Sequence, residues 1–143
     1  SRNFERSRMY PGIPEYFSER GRGMYTYLTG SASWYLMTML TEVYGVKGEL
    51  GNLVIEPKLM AGQFDADGKS KVCTLFAGKV IEVIFENAER LDYGQYCIEE
   101  VKIDGKNLIL DAHSRRTVVQ RTMLAALPKQ VSITVKLAGN HQE

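Results

Sequence analysis

Histidine and cysteine occur only twice each in this chain of 143 residues. That scarcity removes several chemistries at once. Cys73 and Cys97 cannot build a disulfide framework, and their separation is not that of a zinc site. His113 and His141 have no neighbours of the kind that would complete a metal centre or a catalytic triad, and His141 lies in a polar tail. Charge of one sign is also lacking. Lys and Arg total 18 against 17 Asp and Glu, a net charge of +1. No broad attraction to nucleic acid or to a membrane surface follows from that balance. No apolar run is long enough to cross a bilayer, and no charged-then-apolar leader is visible. Reduced thiols and a cytoplasmic location are the expectation. Internal repeats, low-complexity stretches and linkers are absent too.

What is present falls into three zones. Residues 1–29 concentrate Pro11, Gly12, Pro14, Gly21 and Gly23, which break both helix and strand. The same stretch carries Tyr10, Tyr16, Phe17, Tyr25 and Tyr27, more aromatic surface than a loop can bury by itself. Residues from about Ser33 to Tyr44 read as one helix. Trp34, Leu36, Met37, Met39, Leu40 and Val43 recur at helical spacings, Ser31 or Ser33 is available as N-cap, and Gly45 stands where a helix stops. The apolar positions cover nearly the whole circumference, so this helix needs neighbours on most sides.

From about Asn52 the pattern is β. Strands are expected at 52–56, 70–77, 79–86, 96–103, 107–110, 116–121 and 131–137. Ile81, Val83 and Phe85 alternate with Glu82, Ile84 and Glu86, a period of two. Asp67-Gly68, Gly78-Lys79 and Asp104-Gly105 supply turns. The apolar phase slips between Ile98 and Val101, which predicts a β-bulge at Glu99-Glu100. Residues 124–127, before Pro128, predict one helical turn. The expected fold is mainly β: a two-layer antiparallel β-sandwich, jelly-roll-like, preceded by an irregular loop and one α-helix. The expected division is 1–46 and 47–143.

The candidate sites are few. Thr29-Gly30-Ser31-Ala32-Ser33 runs directly into the helix. The first turn of a helix has unpaired N–H groups and a partial positive charge, so a glycine-bearing entry can hold an anion. An ordinary N-cap is the bland alternative. Asp65-Ala66-Asp67-Gly68 resembles only the start of a calcium loop, lacks the distal glutamate, and reads as a hairpin turn. Glu99 and Glu100, as strand neighbours, are expected on opposite faces and so not as a catalytic pair. Arg20 and Arg22 could meet a phosphate or a sugar, although solvated loop charges are the default.

The stretch GRGMYTYLTGSASWYLMTMLTEVYGVKGELGNLVIEPKL, Gly21 to Leu59, resembles the C-terminal signature of the inverting disaccharide phosphorylases. These are the cellobiose and chitobiose phosphorylase type, with the phosphorylase-like end of cyclic glucan synthases. PGIPEYF before it and LDYGQY after it fit as well. The resemblance implies that 1–46 is the last loop and helix of a catalytic α/α toroid and 47–143 a C-terminal jelly-roll domain, which would explain the lopsided chain. It implies phosphorolysis of a β-linked disaccharide or oligosaccharide to a sugar 1-phosphate, with inversion. Inorganic phosphate is then the co-substrate, and no cofactor is required. The Thr-Gly of the family's phosphate site maps onto Thr29 and Gly30. Tyr10, Glu15 and Tyr16 fall in the loop bordering the acceptor sugar, and Tyr10 stands where relatives carry a sugar-contacting glutamine. The family's general-acid aspartate, and an arginine and a histidine that hold phosphate, lie upstream. None is carried over, so this chain alone is not expected to catalyse. The implied partners are the upstream toroid domain and, as an open option, a second copy in a homodimer. From another class, an autonomous carbohydrate-binding or scaffolding β-sandwich is the alternative.

Overall fold

The computed structural model describes residues 14, 16–24, 30–108 and 114–139. The chain divides into two compact units, Ser1–Met39 and Leu40–Glu143.

In the first unit, β1 (Tyr16–Phe17) and β2 (Gly23–Met24) form a short antiparallel hairpin. Its connection is closed by the Gly21 N–H donating to the Ser18 carbonyl, and the Arg22 N–H donating to the Ser18 hydroxyl. Helix α1 spans Gly30–Thr38. It begins three positions before the expected Ser33, so Ser31 and Ser33 lie inside its first turn rather than ahead of it. The expected burial of this helix is not met within the chain. None of its residues is buried, and Trp34 and Leu36 are 70% and 69% exposed.

The second unit opens inside a wider, π-type helical turn, Met39–Val43, with Leu40 as the unit's first residue. Two contacts fasten that turn to the chain beyond it. The Lys58 N–H donates to the Val43 carbonyl, and the Lys58 ammonium pairs with Glu42 at 3.0 Å. The compact unit therefore starts at Leu40. Gly45 then turns the backbone at φ +67, and the Glu56 N–H donates to its carbonyl. A Cβ at Gly45 would lie 1.8 Å from the Glu56 carbonyl oxygen.

The remaining residues form two packed sheets. The larger has the order β5-β6-β10-β7-β8, from Lys69–Phe76, Lys79–Glu86, Gln130–Gly139, Tyr96–Ile103 and Lys106–Leu108. The smaller has the order β3-β4-β9, from Val46–Glu49, Asn52–Ile55 and Thr117–Val119. Strand β3 has a single apolar residue, Val46, which is why its sequence does not announce a strand. The mainly β, sandwich-like class is as expected. One ladder departs from antiparallel: β10 runs parallel to β6, with Val131 against Ile81 and Val135 against Phe85.

The alternation read in β6 is what fills the core. Ile81, Val83 and Phe85 are fully buried, alongside Ile133, Val135 and Val101. They meet Val46, Leu53, Ile55 and Val119 of the small sheet in one apolar cluster. The expected helical turn near Pro128 is α2, Arg121–Ala126, and its Leu124 enters the same core. Tyr96 fixes the crossing segment. Its hydroxyl accepts the Leu59 N–H at 2.8 Å and lies 3.0 Å from the Leu59 carbonyl, to which it can donate. Burial, ahead of every other cause, pushes this phenol up to about 12.

Two outcomes check this account. Gly45→Ala should lose at least about 1–3 kcal/mol from left-handed backbone strain, with the clash added; an unchanged melting temperature would contradict it. Tyr96 is protonated in the folded state beyond the pH at which an exposed phenol ionises, near 10. Its contribution is therefore complete below about pH 10 and is lost as pH rises toward about 12. Urea titrations should show that alkaline loss in the native chain and a shallower loss in Tyr96→Phe.

Candidate functional site

Gly30 is the first residue of α1, and it is exposed. The first turn, Gly30 to Ser33, contains no acidic side chain. Its backbone N–H groups point out of the helix end, with a partial positive charge that no carboxylate of that turn offsets. Ser31 is half-buried and Ser33 exposed. This arrangement can hold an anionic oxygen, and the absent Cβ of Gly30 lets such an oxygen approach the backbone.

The other residues expected at a site divide by whether they are described. Thr29, Tyr10 and Glu15 lie outside the described residues, as do His113 and His141. Tyr16 is in β1, 57% exposed and paired in register with Met24. Arg20 and Arg22 are exposed on the connection between β1 and β2.

Asp65-Ala66-Asp67-Gly68 is a capped turn leading into β5, not the expected hairpin, because the element before it is a 3-10 turn, Ala61–Gln63, and not a strand. The Asp65 carboxylate accepts the N–H groups of Asp67 and Lys69, at 3.0 and 2.8 Å. Arg90 donates to the carbonyls of Asp65 and Ala66. Those carbonyls and that carboxylate serve the turn. Among the described residues no group of three or more His, Cys, Asp or Glu side chains is placed to hold a metal ion.

Glu99 and Glu100 correct one expectation. The bulge is there: Lys136 faces Glu100 while Leu137 faces Ile98, leaving Glu99 as the extra residue. An extra residue breaks the alternation, so both carboxylates stand on the solvent side between the inward Ile98 and Val101. Glu99 pairs with Lys136 at 2.7 Å and Glu100 with Lys102 at 2.8 Å. The hydrogen bond from Lys102, then its charge, holds the Glu100 carboxyl below the usual range. Glu100, held ionised in this way, is a poor proton donor at neutral pH. The thiols of Cys73 (exposed) and Cys97 (buried) are both free.

The register of α1 is what sequence periodicity missed. Glycine and serine add nothing to an apolar period, so the pattern that begins at Trp34 does not mark where the helix starts. The usable signal was the Thr-Gly boundary itself. No protein-family model matches this chain, and no curated protein is significantly similar to it.

Because Gly30 is exposed at a helix end, Gly30→Ala should change the stability of the folded chain by no more than about 1 kcal/mol. Thermal unfolding measures this. A larger loss would assign Gly30 to holding the fold rather than to a ligand.

Proposed function

We propose that this chain is the C-terminal portion of an inverting glycoside phosphorylase of cytoplasmic location. In this reading the intact protein cleaves a β-linked disaccharide or oligosaccharide with phosphate and releases a sugar 1-phosphate. The sequence resemblance across Gly21 to Leu59 motivates the reading. The observation that supports it is the start of α1 at Gly30, with no acidic side chain in the first turn. A helix apolar on every side yet exposed, with Trp34, Tyr35, Leu36 and Met37 all more than half accessible, adds support. Such a surface belongs inside a helical layer.

The chemistry follows from phosphate as nucleophile. Phosphate already carries the charge needed to attack the anomeric carbon, so it needs no base. It needs to be held in line, opposite the leaving oxygen, with its charge screened by donors. The Gly30 N–H and the Thr29 hydroxyl supply two of those donors. The acid that protonates the departing oxygen comes from upstream of this chain, as in any inverting arrangement where acid and nucleophile occupy opposite faces of the sugar. The role of this portion is to help bind phosphate and to supply a structural domain.

In the intact protein, Thr29→Val should weaken phosphate use more than disaccharide binding. Valine keeps the shape and removes the donor. A hydrogen bond to a charged group is worth about 1.5–3 kcal/mol, so efficiency with phosphate should fall roughly ten- to a hundred-fold. Gly30→Ala should act in the same direction. The measurement is the KM for phosphate beside the melting temperature, with phosphate release from sugar 1-phosphates as the reverse assay. Unchanged phosphate kinetics in both folded variants would end this reading.

A further inference from the structure

Strand β5 is an edge of the five-stranded sheet, eight residues long and paired with β6 without a bulge. Its backbone can be sorted residue by residue. The link to β6 is the two-residue turn Ala77-Gly78, with φ of 50 and 72. In a hairpin of this kind the residues flanking the turn, Phe76 and Lys79, exchange both hydrogen bonds. Ser70, Val72, Thr74 and Phe76 therefore bond to β6, and Lys69, Lys71, Cys73 and Leu75 turn their N–H and C=O groups to the open side. The Lys69 carbonyl already accepts the Asp65 N–H at 2.8 Å. Lys71, Cys73 and Leu75 are left with outward backbone groups that bond to nothing among the described residues.

Natural sheets blunt such edges with bulges, prolines or charged side chains, lysine above all. Here there is neither bulge nor proline. The two lysines are compensated, Lys69 by Glu86 at 3.1 Å and Lys71 by Glu82 at 3.9 Å. Leu75 is 76% exposed and sits directly across from Val80, itself 39% exposed. The inward row is under-covered as well: Val72, Thr74 and Phe76 are only half-buried, whereas the inward residues of β6 are fully buried.

We propose that β5 is a self-pairing edge through which two copies of this chain join, antiparallel, about a two-fold axis at Cys73. The three outward residues select that axis, because only there do all of them find partners. Cys73 then faces its own copy and Lys71 faces Leu75 of the other chain, for about six inter-strand hydrogen bonds. An axis at Lys71 would set like charges directly opposite one another. In the Cys73 register the lysine stem instead covers the exposed leucine, and the lysine charge stays with Glu82. This inference rests on edge geometry and is independent of the phosphorylase reading.

The test uses the 143-residue chain and its own exposed thiol. Sedimentation equilibrium should show a monomer–dimer equilibrium. Facing hydrogen-bonded residues lie about 5.5 Å apart, within disulfide reach. Mild copper–phenanthroline oxidation should therefore give a covalent dimer that Cys73→Ser abolishes, Cys97 being buried. Leu75→Lys places a lysine opposite Lys71 twice per dimer and should weaken dimerisation about ten-fold or more, with the circular dichroism unchanged. Trp34→Gln, on α1, should leave the dimer intact. A monomer at every concentration would overturn the proposal. So would a dimer that Cys73 does not cross-link, or one lost in Trp34→Gln and kept in Leu75→Lys.

Discussion

The sandwich depends on one insertion: β10, near the end of the sequence, lies between β6 and β7 and bonds to both. Without it the large sheet separates into two hairpins, β5-β6 and β7-β8. Neither hairpin could bury its own apolar face, since a lone two-stranded unit is marginal in water. Val131, Ile133, Val135 and Leu137 of β10 are all buried, and they bridge the inward residues of β6 to those of β7. Both pairings are long-range in sequence, so the loop-closure entropy falls late in folding. The parallel sense of the β6–β10 pair follows from the same insertion. The strand returns after α2 from the end of the sheet where β6 begins, as the Val80 N–H bonded to the Lys129 carbonyl records.

Around that sheet, the segments that carry the family resemblance have structural duties that need no catalytic explanation. Tyr96, at the end of LDYGQY, bonds to Leu59, at the end of LVIEPKL. Gly45 lies against the Glu56 carbonyl with no room for a side chain. Glu42 and Lys58 close the same junction; the Lys58 hydrogen bond leads in lowering the Glu42 carboxyl, and the reciprocal bond raises the Lys58 ammonium. These residues build the entrance to the sandwich.

Much of the architecture was legible because its code is local. Ile81, Val83 and Phe85 announced an inward face, and Gly78 announced a turn, which falls at Ala77-Gly78 rather than at Gly78-Lys79. The slip between Ile98 and Val101 forced a bulge at Glu99. Of the expected phosphate-site pair only Gly30 is described, as the first residue of α1. Tyr16 is described as an exposed strand residue, and Tyr10, Glu15 and Thr29 fall outside the described residues. Period counting placed the start of α1 too late, because glycine and serine carry no apolar signal.

By itself, then, the sequence determined the class of fold, the inward face of β6, the neighbourhood of the glycine turns and the bulge, since each follows from side-chain period or from backbone freedom at one residue. Tertiary structure decided the rest. The parallel sense of β10 depends on which strands it separates, and a period of two reads the same in either direction. Strand β3 exists because β4 and the core hold Val46 in register, not because its residues prefer extension. The two glutamates at positions 99 and 100 share one face because the bulge rotates the strand between them. The open backbone of Lys71, Cys73 and Leu75 is likewise a tertiary fact, since which strand lies at an edge is set by sheet order and not by the strand's own residues.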